Sequence, residues 1–325
     1  MAFIRTVLGD IDPAASGIGY AHEHIIIDPG FATMQTPDFL LDCVEAAVAE
    51  LQGLKTAGVG LVVDSMPCDA GRNVEKLAEA SRRSGVGIVC PTGLHLQQYY
   101  PPNHWGERLP EDTLAELFVA DIMEGVDAND YGGPVVRRTS HRAGVIKVAG
   151  GRDCLSAHER KCFRAAAQAQ RQTGCPILTH TEQGTAAEEQ IRLLREHGAD
   201  LGRVVLSHTD RLPEPDYHRR LLRAGVVLEY DSAFRWKTGD LNPTVDLIAA
   251  LLPEFPTQIV VGMDAARRSY WKAYGGGPGL SYLVTTLRPL LANRGLSEML
   301  LDNLYTHNPR RAYTFTGAGA TFNNA

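Results

Sequence analysis

No apolar run in this sequence reaches the roughly 18 to 20 residues that a membrane-spanning helix needs, and the first residues, MAFIRTVLGD, lack the charged-then-apolar layout of a signal peptide. A cytoplasmic protein with no membrane partner is the expectation. Basic residues are not in excess either: 32 Lys and Arg face 38 Asp and Glu, a formal net charge of -6 with an isoelectric point near 6.0. Nucleic acid is therefore not an expected partner, since its binders usually carry a basic surplus. Aromatics are few, 7% against 44% hydrophobic and 22% charged residues, and so mild a charge balance excludes a disordered chain. The six cysteines, Cys43, Cys68, Cys90, Cys154, Cys162 and Cys175, include no C-x-x-C pair, so they are expected as reduced, core-filling thiols.

What the sequence does have is alternation. Short runs rich in Val and Ile, bounded by Gly or Pro, recur at Gly19–Ile27, Gly58–Ser65, Gly85–Thr92, Gly144–Ala149, Pro176–Thr181, Arg203–Thr209, Gly225–Asp231 and Gln258–Asp264. Amphipathic stretches such as DFLLDCVEAAVAELQGLKTAG, NVEKLAEASRRSG and AAEEQIRLLREHGAD lie between them, each closing near a Gly that would cap a helix. Eight strand–helix units in 325 residues predict an α/β fold, a distorted (β/α)8 TIM barrel occupying 1–325 as one domain. FIRTVLGDIDPAASG reads as a short N-terminal β-hairpin over one barrel end, and the tail GAGATFNNA as a fraying end. A doubly wound open sheet is the competing fold. Against it, no G-x-G-x-x-G follows the first strand, and ligand-type polar residues end strands all along the chain instead of gathering at one crevice.

Those polar residues carry the chemistry. The first strand ends YAHEHIII, and residues two apart on a strand share a face, so His22 and His24 converge. His180 ends the fifth strand, His208 the sixth and Asp264 the eighth, where a barrel places its active site. Any one of these would pass as a hydrogen-bonded histidine or a salt-bridged carboxylate; five on four strands point to a divalent cation site. Lys147 sits within the apolar run AGVIKVAGG, and an unpaired buried ammonium costs several kcal/mol. Either a Schiff base with a carbonyl substrate, as in an aldolase, or carboxylation by carbon dioxide to an anionic bridging ligand would remove that charge. Four histidines and an aspartate exceed the needs of a Schiff base and suit two metals, so the carbamate is preferred.

These segments, AHEH at Ala21–His24, IKVA around Lys147, THT around His180, SHTD around His208 and GMD at Asp264, resemble the amidohydrolase superfamily and, more narrowly, the phosphotriesterase-like lactonases. The likeness runs strand by strand from TVLGDIDPAASGIGYAHEH to HNPRRAYTF. It implies that His22, His24 and Asp264 hold the more buried of two divalent ions, that His180 and His208 hold the more exposed one, and that N6-carboxylated Lys147 and a hydroxide bridge them. The implied reaction is hydrolysis of a lactone by that hydroxide, with Asp264 as the proton shuttle. Zinc is the first expectation, and Mn, Co or Fe suit the same ligands. Relatives of this kind are commonly homodimers.

The loops DSAFRWKTGD and DAARRSYWKAYGGGPG, after the seventh and eighth strands, combine cations with aromatics where TIM barrels often bind phosphate. Their spacing from Asp264 is similar to the branch that opens phosphorylated sugar lactones, of the furanose 1,4-lactone 5-phosphate type. That likeness nominates Lys237, Arg267 and Tyr270, with Tyr99 from TGLHLQQYYPP, as substrate-binding residues. Tyr100 competes with Tyr99, Arg235 with Lys237, and Arg268 and Lys272 stand as substitutes. The Gly275–Gly277 run before Pro278 reads equally as a closing lid or a plain turn. Of the other histidines, His95 alone is placed to contact substrate. Acyl-homoserine lactone or phosphotriester hydrolysis on the same centre, and a non-catalytic ligand-binding homologue, are the alternatives.

Overall fold

The computed structural model describes residues 2–236, 242–315 and 317. Its strands are β1 (Ile4–Thr6), β2 (Gly9–Ile11), β3 (Ile18–Glu23), β4 (Val59–Asp64), β5 (Gly87–Val89), β6 (Pro91–Gly93), β7 (Val145–Gly150), β8 (Ile177–Thr181), β9 (Val204–Ser207), β10 (Val227–Tyr230) and β11 (Ile259–Val261). Parallel pairing runs β3–β4–β5 in one ladder and β6 through β11 in a second. Cys90 alone separates β5 from β6, so the predicted third strand is one strand interrupted at a single residue, pairing with β4 before the break and with β7 after it. Met263 and Asp264, just past β11, donate their main-chain N–H groups to the His22 carbonyl at 3.2 and 3.0 Å, and the ring returns to β3.

Alternate residues of these strands face inward, and Ala21, Leu61, Val63, Val89, Val145, Leu178, Val205, Val227 and Val260 pack into a lumen cluster of their own. The β1–β2 hairpin contributes Ile4 to this cluster, and Tyr313 enters from the C-terminal helix, its hydroxyl donating to the Ala21 carbonyl at 2.6 Å. The hairpin therefore seals the N-terminal end of the strands, as expected, and leaves their C-terminal ends open for chemistry.

The helices begin and end on local signals. Asn73 accepts from the Lys76 N–H to start Val74–Ser84, and Gly85 ends it at φ 70°, a left-handed conformation that suits a residue without Cβ. Ser156 and Glu159 form a capping box at the head of Ala157–Thr173. Among the described residues no helix is long and apolar enough to cross a membrane.

Two boundaries and the burial of the cysteines differ from expectation. The first strand stops at Glu23 rather than Ile27, because the Ile25 N–H is taken by the Asp64 carboxylate at 2.7 Å and Ile27 pairs with Leu41 instead. The helix expected from Asp38 starts at Val44, since Pro37–Phe39 forms a separate short turn and Leu41 is held by Ile27. All six cysteines are free, but Cys43 is half-buried and Cys154 exposed, so four rather than six fill the core. The tail GAGATFNNA lies outside the described residues apart from Gly317.

Candidate active site

At the C-terminal ends of the strands the imidazoles form an arc. Ring centroids step from His24 to His22 (5.6 Å), to His208 (4.8 Å), to His180 (4.6 Å), to His95 (5.0 Å) and on to Tyr99 (4.5 Å). His208 and Asp264 both adopt left-handed backbone conformations, φ 65° and 47°, which cost a residue with a Cβ about 1–3 kcal/mol. Strain of that kind persists where the surroundings demand it, and here it bends two strand ends into the site. Asp264 turns Oδ1 toward His24 Nε2 at 3.2 Å and His22 Nε2 at 3.5 Å. Lys147 brings Nζ to 3.5 Å from the same His22 Nε2. The six side chains nominated as metal ligands thus meet at one place.

Behind them stands a row of polar residues that the sequence analysis missed. Asp231 accepts at His208 Nδ1, Ser207 Oγ pairs with His22 Nδ1 at 3.0 Å, and Glu182 lies 2.9 Å from His180 Nε2. Arg211 donates to Asp264 Oδ2 at 2.9 Å. Glu229 and Asp231 carry the same two-residue alternation that exposed His22 and His24, so the signal was present in VLEYD. Arg211 and Glu182 lie in single 3-10 turns just past their strands, too short for spacing to say anything about direction.

Burial sets the electrostatics. It holds the His22, His180 and His208 rings below the ordinary imidazole range, His208 at about 3, so these rings are neutral as metal ligands must be. It also lowers the Lys147 amine to about 8 against the pull of Asp264, Glu229 and Asp231. Burial pushes the Asp264 carboxyl up, but His208, His24, Arg235 and His22 outweigh it and hold the group well below the usual carboxylate range.

The donor set fits a divalent cation. His22, His24 and Asp264 each offer one ligand atom within 4.8 Å of the others, and so do His22, His208, Glu229 and Asp231. His24 Nδ1 is buried without a partner, and the one hydrogen-bond contact of Lys147 Nζ among the described residues is the long one to His22. An ammonium so poorly matched costs several kcal/mol, which carboxylation would relieve.

A cavity of about 470 Å³ opens over this cluster, and Tyr99, Arg267 and Tyr270 line it with the histidines. Tyr100 is excluded: its buried hydroxyl donates to the Cys68 carbonyl at 3.1 Å and accepts from the His95 N–H at 2.9 Å. Arg267 lies over the Phe39 ring at 4.7 Å, 3.6 Å from Asp38, and remains 39% exposed at the mouth. Lys237 lies outside the described residues. Its competitor Arg235 lines the cavity but is committed to Asp231 and Asp264. Arg268 and Lys272 are not among the lining residues, and His95 is. The glycine loop is fastened rather than poised to close: Gly276 and Gly277 donate to Trp271 and Ser269 carbonyls at 2.8 and 3.0 Å, and Glu50 accepts from the Ala273 and Leu280 N–H groups. Ile27, Ala32, Phe39, Met66 and Ala70 give the same cavity an apolar wall, with the Arg267 guanidinium over the Phe39 ring.

The comparisons with known proteins agree with this geometry. A phospho-furanose lactonase of Mycoplasmopsis agalactiae is 34% identical over 323 residues, 96% of this chain and 92% of that protein. The crystal structure of an amidohydrolase from Mycoplasma synoviae superposes with a TM-score of 0.92 at 32% identity, covering 97% of this chain and 92% of that one. A lactonase from Listeria monocytogenes gives 0.88 at 31% identity, covering 97% of this chain and 100% of that one. The profile of the Phosphotriesterase family matches residues 2–313, from the hairpin to the helix that brings in Tyr313. With the profile spanning the whole ring of strands, this chain belongs to the phosphotriesterase family and is a metal-dependent hydrolase.

Proposed function

We propose that this protein hydrolyses a phosphorylated sugar lactone of the furanose 1,4-lactone 5-phosphate type. The observation that carries the reading is the union, in one cavity of about 470 Å³, of the histidine–aspartate cluster with Arg267, Tyr270 and Tyr99. A metal-activated nucleophile and an anion-binding rim in the same cavity suit a ring ester with a phosphate at its other end. The phospho-furanose lactonase relative supports the same substrate class.

In this reading His22, His24 and Asp264 would hold one divalent ion and His180 and His208 a second, with carboxylated Lys147 as a further anionic ligand; zinc is the first choice. Bound there, the pair supplies the Lewis acidity that activates water at neutral pH and polarises an acyl oxygen. Arg267, Tyr270, Tyr99 and Lys237 grip the phosphate and fix the ring, and the apolar wall excludes water from around it. Asp264 takes the proton released as water adds to the carbonyl and returns it to the ring oxygen as the acyl–oxygen bond breaks. With Oδ1 facing the histidines the proton rides on Oδ2, so Arg211 and Arg235 both loosen their contacts there. One barrel domain over 1–325, assembled as a cytoplasmic homodimer, completes the proposal.

The apolar wall also suits an acyl tail, so acyl-homoserine lactone hydrolysis is the second reading, with phosphotriester cleavage as a weak side activity. An assay on zinc-loaded protein separates them, comparing a sugar 1,4-lactone with its 5-phosphate. A preference for the phosphorylated ring of at least ~10²-fold in kcat/KM, about 2.7 kcal/mol, is expected. No preference, with turnover of acyl-homoserine lactones, would keep the metal centre and discard the substrate. Zinc uptake below about a tenth of an equivalent would favour a non-catalytic binding protein.

A further inference from the structure

The run DAARRSYWKAYGGGPG sets Arg267 and Arg268 side by side, and tertiary contacts sort them. Arg267 lies over the Phe39 ring at 4.7 Å, and both residues line the cavity. Arg268 lies over the Tyr274 ring at 4.2 Å, and neither of that pair lines it. Each guanidinium is drawn to the electron-rich face of its own ring, so two platforms send neighbouring side chains to different places.

The platform under Arg267 comes from far away in the chain, in the short turn Pro37–Phe39 that follows β3. From the same turn Asp38 accepts from the Ser269 N–H at 3.0 Å and from the Ser269 hydroxyl at 2.7 Å, and its Oδ2 lies 3.6 Å from Arg267 Nη1. Cys43 donates its N–H to the Tyr274 hydroxyl at 3.3 Å, and Glu50 accepts from the Ala273 and Leu280 N–H groups. The loop after β11 is thus seated on residues 38–50. Burial alone would raise the Asp38 carboxyl, but the hydrogen bonds from Ser269 and the Arg267 charge outweigh it and hold the group below its ordinary value, so it is ionised at neutral pH. Among the described residues the one ion pair of Arg267 is with Asp38, and at 3.6 Å it is too long for a hydrogen bond, which leaves the N–H donors open to an anion.

We propose that Asp38 is a positioning residue of the anion rim, acting through Arg267: with Phe39 as the platform, it holds the guanidinium at the cavity before substrate arrives. Asp38 itself does not line the cavity. A free arginine gives up rotamer freedom when it grips a ligand, and one already fixed on a ring and beside a carboxylate has less to give up. The same carboxylate repels an incoming phosphate, which acts on KM with the opposite sign. Repulsion is the smaller effect, because the Asp38 side chain is 35% exposed, where solvent and salt screen it, and Ser269 and Arg267 already partner its charge. The inference rests on the phosphorylated-substrate reading given above.

The test is steady-state kinetics on the zinc-loaded protein with a sugar 1,4-lactone and its 5-phosphate, for Asp38→Ala and Asp38→Asn, each alone and combined with Arg267→Met. Asp38→Ala should raise KM for the phosphorylated ring about 3- to 10-fold, with kcat within about twofold and no change on the plain ring. Asp38→Asn still accepts from the Ser269 N–H and should lose less. In the Arg267→Met background, Asp38→Ala should add less than about 1.5-fold, since the group it positions is gone. A KM for the phosphorylated ring that falls or stays unchanged in Asp38→Ala, that rises equally on both rings, or that rises as much without Arg267 as with it, would overturn the inference alone. Wild-type protein with no preference for the phosphorylated ring would overturn the substrate reading and this inference with it.

Discussion

Arg235 holds Asp264 at two points, donating from Nη2 to its main-chain oxygen at 2.6 Å and to Oδ2 at 3.1 Å. The other arm of the guanidinium reaches the Asp231 carbonyl at 2.6 Å and Oδ1 at 3.2 Å. One side chain therefore ties together the loops that follow β10 and β11, and it leaves Asp264 Oδ1 free to face the histidines.

Removing that tie exposes its value. Arg235→Met leaves the buried Asp231 and the half-buried Asp264 short of a donor, and we expect a loss of about 2–3 kcal/mol in urea unfolding with a fall in kcat. Arg235→Lys keeps the charge but cannot span four acceptors, so it should recover only part of the stability. An unchanged unfolding midpoint in Arg235→Met would show that the bridge contributes nothing.

Arg267 tests the anion rim. A charge-assisted hydrogen bond to phosphate is worth about 1.5–3 kcal/mol, so Arg267→Met should raise KM for a phosphorylated lactone roughly 10- to 100-fold. Hydrolysis of the unphosphorylated ring should hardly change. Equal losses on the two substrates would mean that Arg267 supports the loop and not the phosphate.

Lys147 gives a pH signature. Burial lowers its pKa to about 8, and the neutral amine is the form that attacks carbon dioxide. Reactivation of metal-stripped protein at fixed dissolved carbon dioxide should accelerate as pH rises toward 8 and level off above it, followed as recovered lactonase activity. Full recovery in carbon dioxide-free buffer would sink the carbamate.

His208 gives another. Unfolded, its imidazole takes a proton near 6.5, whereas in the fold burial lowers it to about 3. Between those values the unfolded chain binds a proton that the native chain does not, so this group makes stability fall as pH drops from 6.5 toward 3, by about 1.4 kcal/mol per pH unit. Asp210 and Asp130, raised by burial to about 6 and about 8, act with the opposite sign. The clean measurement is therefore the difference between stripped wild type and His208→Gln in urea unfolding across pH 4 to 8; parallel curves would contradict the assignment.

The strands were legible because Val- and Ile-rich runs bounded by Gly leave few alternatives, and the convergence of His22, His24, His180, His208 and Asp264 because each closes an apolar run at the same end of its strand. Glu229 and Asp231 escaped notice although they share one face of the run read as the strand Gly225–Asp231, as His22 and His24 share one face of theirs. Tyr99 and Tyr100 were indistinguishable in sequence, and what separates them is that the Tyr100 hydroxyl finds two buried main-chain partners. Arg235 and Lys237 posed the same problem two residues apart, and the pair of buried acids within reach of Arg235 draws it inward.

By itself, then, the sequence determined the alternation of strands and helices and which residue types stand at the strand ends, since both follow from periodicity along the chain. Tertiary structure decided the rest: that Asp264 offers Oδ1 to His22 and His24 and Oδ2 to Arg211 and Arg235, and that Glu229 lies behind His22 in space left by Gly262. Direction and partnership across the ring depend on register and packing between strands far apart in sequence, and no local pattern records them.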